Sequence, residues 1–166
     1  MHFIFEHILP LPRESVFAFF GKPEHLPLLH AGWSKIRLLQ HETQVRVGAE
    51  TWVELTLARF IPMVLGFRHF LFEPSFRFGE EAIHGPFSKF VHIHEFRPQN
   101  GSTVVRDLLD LEVCLPWNYG AETTMNYCVA SAVKRMFRHR AEALTRLASD
   151  GTMAGCASGL APTKER

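Results

Sequence analysis

Residues 85–116 read GPFSKFVHIHEFRPQNGSTVVRDLLDLEVCLP, and the Asn100-Gly101 pair near their centre is the signal of a two-residue hairpin between alternating strands. That hairpin fixes a register. Gln99 opposite Ser102 sets Glu95 against Arg106 and Lys89 against Glu112 on one face, and both are pairs of opposite charge. On the other face Phe96 meets Val105, His94 meets Asp107, His92 meets Leu109 and Phe90 meets Leu111, so this face is expected to turn toward the core. A slip of one residue would scatter both patterns.

The same reasoning applied to the turn at Pro74-Ser75 places Glu73 opposite Phe76, Leu71 opposite Phe78 and His69 opposite Glu80. A sharp bend at Gly85-Pro86, with one residue unpaired, brings the Glu80 strand beside His92. His69, Glu80, His92, His94 and Asp107 are then expected to form a polar band across a sheet face otherwise lined by Phe and Leu.

Working outward, residues 2–9 read as a first strand stopped by Pro10. Pro12, Glu14 and the stripe Val16, Phe17 and Phe20 predict a short helix ending at Gly21, and a second short helix follows from Pro23 to Leu29. From Trp33 to Cys114 the pattern is β-rich, with strands expected at 33–41, 50–59, 63–73, 76–84, 87–98 and 102–115. Residues 120–149 carry the longest helical pattern, with Met125, Val129, Val133, Met136, Phe137, Leu144 and Leu147 at three- and four-residue steps. The expected fold is α+β: a seven-stranded antiparallel curved sheet wrapped around a long C-terminal helix, with two short helices after strand one. One domain spans 1–150. Residues 151–166 are small or polar and read as a flexible tail.

Composition narrows the function. The chain has 166 residues, 46% hydrophobic and 21% charged, with a formal charge of +1 and no basic block, which argues against a nucleic-acid partner. Fifteen Phe against 3 Trp and 2 Tyr give large apolar area without polar atoms to satisfy, which suits a wide core or a lined cavity. The three cysteines, Cys114, Cys128 and Cys156, form neither a disulfide framework nor a thiolate zinc pattern, so a reducing cytoplasm is expected. Cys128 reads as a small core residue. Trp33, Trp52 and Trp117 read as packing aromatics rather than pocket residues. The opening Met1–His7 lacks a basic region followed by an apolar one, and no stretch is long enough for a membrane helix, so membrane insertion is not expected.

The polar band admits four readings. It could be a buried hydrogen-bonded network that supports the fold, or the few convergent polar groups that orient a ligand in an apolar pocket. It could supply general acid–base chemistry, with His92 or His94 as base and Asp107 positioning it. Finally, His92-x-His94 with His69 or Glu80 has the ligand types zinc takes, but the spacing is weak evidence; no metal and no cofactor are expected. No P-loop, dinucleotide fingerprint, nucleophile elbow or H-E-x-x-H occurs.

Several motifs together resemble the SRPBCC superfamily, the START-domain and pollen-allergen-like helix-grip proteins. They are Pro12-Arg13-Glu14-Ser15-Val16-Phe17, His69 ahead of Glu73-Pro74, Phe78-x-Glu80, and Gly85-Pro86-Phe87-x-x-Phe90-Val91-His92-x-His94-x-Phe96. Asp107, Glu112, Pro116 and Met136-Phe137-Arg138-His139-Arg140 continue the series. The resemblance covers residues 2–149 and is nearest to an uncharacterised group, cyclase/dehydrase-like or cell-division-inhibitor-like. Phe90 stands where that group has Trp, and Glu80 where it has Asp. The resemblance implies a helix-grip fold with a deep hydrophobic cavity between sheet and long helix. Relatives bind lipids or hormones, cyclise or dehydrate polyketides, or carry iron-containing oxygenase sites. The oxygenase branch is not expected here, since no ferredoxin-like domain and no convincing iron triad is present.

The leading expectation is a binder or carrier of a small hydrophobic molecule, contacted by His69, Phe78, Glu80, Phe90, His92, His94, Phe96, Asp107 and Leu109. The second is a cyclase or dehydratase using His92 or His94 with Asp107. The third is a structural or interaction module with an incidental cavity. The sequence leaves the oligomeric state open, a homodimer included.

Overall fold

The computed structural model describes residues 1–57, 61–114 and 122–159. Strand β1 (His2–Leu9) leads through Pro10 and Pro12 into helix α1 (Arg13–Phe20), which buries Val16, Phe17, Phe19 and Phe20. A 3-10 turn at Pro23–His25 and helix α2 (Leu26–His30) follow. Six strands come next: β2 (Ile36–His41), β3 (Glu50–Leu57), β4 (Ile61–Glu73), β5 (Arg77–His84), β6 (Phe87–Gln99) and β7 (Ser102–Val113). Helix α3 (Glu122–Ser149) closes the domain. The strands form one antiparallel sheet in the order β1-β7-β6-β5-β4-β3-β2, so the first strand pairs with the last and the rest is a meander. This is the α+β helix-grip architecture expected from the sequence.

The β6–β7 register is the expected one, from Gln99↔Ser102 through His94↔Asp107 and His92↔Leu109 to Lys89↔Glu112. Asn100 and Gly101 both take positive φ, 49° and 79°, as a tight hairpin with strand-matched twist requires. On the outer face Glu95 pairs with Arg106 at 3.5 Å, whereas Lys89 reaches diagonally to Asp110 at 2.6 Å rather than to Glu112.

The β4–β5 hairpin departs from expectation by one residue. Its pairs are Glu73↔Arg77, Phe72↔Phe78 and Leu71↔Gly79, not Glu73↔Phe76 and Leu71↔Phe78. The loop holds three residues, Pro74 to Phe76, because Ser75 adopts a left-handed conformation (φ 64°) and the Phe76 N–H donates to the Glu73 carbonyl at 3.0 Å. A register shift between His69 and Leu71 leaves Phe70 unpaired, and this bulge restores His69↔Glu80. Two irregularities cancel, and the functional pair is kept.

Gly85 turns β5 into β6 with φ 139°, and a Cβ there would lie 2.8 Å from Leu65 Cδ2. Glu80 is thereby set beside His92. Gly85→Ala is expected to lower stability by about 1–3 kcal/mol, since backbone strain and a clash coincide. An unchanged urea midpoint would show that this bend relaxes freely.

Inside the sheet the apolar residues form three separate clusters. One joins Leu9, Phe17, Phe20, Phe78, Phe96, Val105 and Leu144 under α1; a second holds Val53, Leu65 and Phe67; a third holds Leu109, Leu111 and Phe137. Helical stripe residues Val129, Val133, Met136, Phe137, Leu144 and Leu147 pack against the first and third clusters.

Three expectations need correction. Met153 is fully buried in the first cluster and a 3-10 turn (Ala154–Gly159) follows it, so the segment after residue 150 is not simply a tail that buries nothing. The Met153 side chain inserts beside Val16 and Phe17 of α1. Cys128 is exposed rather than a core residue, because it sits off the buried stripe of α3. Strand β2 starts at Ile36, since the Trp33 and Ser34 N–H groups are tied to the His30 carbonyl in a turn. Trp117, Pro116, the strand ends at 58–59 and 115, and the helix start at 120–121 lie outside the described residues, as does the side chain of Met125.

Candidate functional site

Because the three clusters do not merge, a cavity of about 1280 Å³ is left between the concave sheet face and α3. Such a volume cannot be a packing fault, as folded interiors hold few voids larger than a water molecule. Its wall is mostly apolar, including Leu29, Val53, Leu65, Phe90, Leu111 and Val133. Alternation along β4, β5 and β6 places His69, Phe78, Glu80, Phe90, His92 and His94 on the inner face, and Leu109 joins them from β7.

The polar side chains form a continuous chain across this wall. The His69 Nδ1–H donates to the Ala49 carbonyl at 3.2 Å, and its Nε2 lies 3.5 Å from Glu80 Oε2. Glu80 Oε1 lies 3.5 Å from His92 Nδ1. The His92 Nε2–H donates to Asp107 Oδ1 at 3.0 Å, and the His94 Nδ1–H donates to the same oxygen at 2.6 Å. From α3, the Arg140 Nη2 approaches this oxygen at 3.7 Å. His69, His92, His94, Asp107 and Arg140 are all buried.

Charge states follow from these contacts. Burial disfavours a charged His92, yet both of its nitrogens face carboxylates, Asp107 and Glu80, and together they raise its pKa. Burial likewise opposes a charged Glu80, but its hydrogen bond to His92 and the neighbouring histidines bring it down to about 2. Asp107 is held well below the usual carboxylate range: burial is outweighed by Arg140, His94 and His92. His94 goes the other way, lowered to about 4 by burial and by the positive His92 beside it, so it is neutral near pH 7. His30, at the end of α2, is lowered to about 3 by burial and by Arg140 and His139.

Two of the expected contact residues do not line the cavity. Phe96 is a core side chain packed on Phe17, Phe20 and Phe78, with ring centroids 5.2–5.9 Å apart. Asp107 stands behind His92 and His94 as the acceptor that orients both. Conversely, Trp33 borders the cavity at its exposed rim, where Arg135 lies over its ring at 5.8 Å, so it is more than a packing residue. Trp52 does pack, against Gly66 and His84.

Sequence reasoning misses Arg140 and His30 as site residues. Arg140 enters it only as part of the Met136–Arg140 run; its place three residues after Phe137 on the buried stripe is the available signal.

Glu80, His92 and His94 can bring one ligand atom each within 4.8 Å of one another, a donor set of the kind divalent metals accept. A cation there would have to displace the proton that two carboxylates hold on His92, beside the guanidinium of Arg140.

No family model and no curated protein sequence matches the chain. Solved structures do match. TTHA0849 from Thermus thermophilus has a TM-score of 0.69 at 15% identity, covering 92% of this chain and 99% of that one. A START superfamily protein from Mycobacterium smegmatis has a TM-score of 0.69 at 14% identity, covering 90% and 97%. Ara h 8.0201 has a TM-score of 0.62 at 11% identity, covering 90% and 98%. The chain therefore has the fold of START-like and pollen-allergen-like helix-grip proteins, as the sequence motifs implied. Among the described residues no helix is long and apolar enough to cross a membrane.

Proposed function

We propose that the protein binds or carries a small hydrophobic molecule in the cavity between sheet and α3. The observation that carries this reading is the cavity itself: about 1280 Å³, walled by Phe, Leu and Val, with a few buried polar groups converging on one side. A domain whose whole stability is about 5–15 kcal/mol gains nothing from an unfilled apolar space, which weighs against an incidental hollow in an interaction module. His69, Glu80, His92 and His94 orient the polar part of the ligand, while Phe78, Phe90 and Leu109 supply apolar contact; Asp107 acts through the two histidines.

Native mass spectrometry of the purified protein, with titration of the neutral dye Nile red, tests the reading. A co-purifying organic mass, or saturable dye binding, is expected. Val133→Trp, which projects a large ring from α3 into the cavity, should weaken dye binding at least about tenfold with little change in folding. No organic mass and no saturable dye binding would sink the proposal.

A cyclase or dehydratase is the second reading, favoured by the 2.6 Å His94–Asp107 contact. His94 is the better base of the two histidines, because it is neutral at pH 7 whereas the two carboxylates facing His92 favour its protonated form. Turnover abolished in His94→Phe while dye affinity is retained would establish it.

A further inference from the structure

Arg140 is the anomaly of the cavity wall. It is 6% exposed and its Nε is buried with no hydrogen-bond partner. Its Nη2 lies 3.7 Å from Asp107 Oδ1, beyond hydrogen-bonding distance, and 3.5 Å from His94 Nδ1. That imidazole nitrogen lies only 2.6 Å from Asp107 Oδ1, a separation that calls for its proton between them, so it has no lone pair left for Arg140. A guanidinium has five N–H donors, and burying one with so few satisfied is costly unless an acceptor arrives from elsewhere. The group is nevertheless held in place, with Phe20 and Phe137 rings 5.2 and 5.6 Å from its Cζ.

The sign of the surrounding charge agrees. The cavity is lined by Lys22, Lys35, Arg135 and Arg140, against Glu80 as its one acidic side chain among the described residues. Glu80 in turn faces His92 Nδ1 at 3.5 Å. Asp107 lies behind the wall and is occupied by both histidines. What faces a ligand is an apolar chamber whose charged lining is mostly positive, with Arg140 as its buried cation.

We infer that the bound molecule is an amphipathic carboxylic acid whose carboxylate is received by Arg140 at the buried end of the cavity, with His94 beside it. This specification rests on the carrier reading. It also widens the role of Asp107, which holds His94 and attracts Arg140 across 3.7 Å without a hydrogen bond, leaving the guanidinium edge for a ligand. A planar carboxylate suits that edge, since Arg binds such groups through two parallel hydrogen bonds.

The test uses two matched pairs of probes, dodecanoic acid with dodecanol and 2-naphthoic acid with 2-naphthol, each displacing Nile red from the full-length protein at pH 7.5. At least one acid is expected to bind on the order of 10- to 100-fold more tightly than its alcohol, the worth of a charge-assisted hydrogen bond in a buried site. Arg140→Gln should remove that preference while leaving alcohol affinity within about threefold, and Arg140→Lys should keep part of it. Thermal melts of both variants show that they fold. Equal affinity of acid and alcohol in the wild type overturns the carboxylate assignment and leaves the carrier reading standing. A preference that survives Arg140→Gln also overturns it. Displacement by none of the four probes, together with no dye binding, overturns both.

Discussion

Asp107→Ala is expected to destabilise the fold by about 3–5 kcal/mol, the usual cost of removing one partner from a buried, hydrogen-bonded ion cluster. One carboxylate oxygen accepts from His92 at 3.0 Å and from His94 at 2.6 Å, and it is the nearest negative charge to Arg140 at 3.7 Å. Its removal leaves an imidazolium and a guanidinium close together, with only Glu80 to offset them. Asp107→Asn should cost nearly as much, because the amide keeps the shape but not the charge and turns an NH2 group toward donors. Adding Arg140→Met to Asp107→Asn should recover part of the loss, since it withdraws the uncompensated cation. Equilibrium urea unfolding of the two singles and the double mutant measures this directly. A loss below about 1 kcal/mol in Asp107→Ala would mean that water or a shifted Glu80 takes over, and that the cluster is not rigid.

The same cluster shows what could be read from residues alone. The β6–β7 pairing was legible because Asn100-Gly101 admits one tight turn, and only one register puts Glu95 on Arg106 and all the inner apolar residues on one side. From that register His94↔Asp107 follows with no tertiary information. The β4–β5 hairpin was legible only in its result: the extra loop residue made by left-handed Ser75 and the bulge at Phe70 are both invisible to a simple period-two reading, and they cancel at His69↔Glu80. Arg140 was harder still. A helical stripe is read by apolar residues, and a charged side chain on it looks like the edge of the solvent face until the sheet is seen to bring Asp107 within 3.7 Å. Phe96 illustrates the opposite error: alternation shows that it points inward, but only packing decides whether an inward ring meets a ligand or, as here, Phe17, Phe20 and Phe78.

Acid should unfold the protein well before its carboxylates are protonated. His30 and His94 are buried and lowered to about 3 and about 4, so between pH 6.5 and those values the unfolded chain takes up protons that the folded chain refuses. The stability these residues contribute is complete above their unfolded pKa of 6.5 and is lost as pH falls through that window. At ~1.4 kcal/mol per pH unit for each group, two histidines acting between about pH 6.5 and 4 withdraw about 7 kcal/mol, comparable with the whole stability of an ordinary domain. His92 contributes nothing to this loss. Its raised pKa makes its own contribution complete below 6.5 and lost only as pH rises through the folded value, so stability should peak near neutrality. Glu80 and Asp107, both depressed, withdraw their share only below the unfolded carboxylate range. Urea midpoints at pH 7, 6, 5 and 4 are therefore expected to fall steadily, and His30→Gln should flatten the slope by about half because glutamine does not titrate. A wild-type midpoint that stays level from pH 7 to 5 would show that both imidazoles accept protons inside the fold, which burial and the guanidinium of Arg140, with His92 beside His94 and His139 beside His30, make unfavourable.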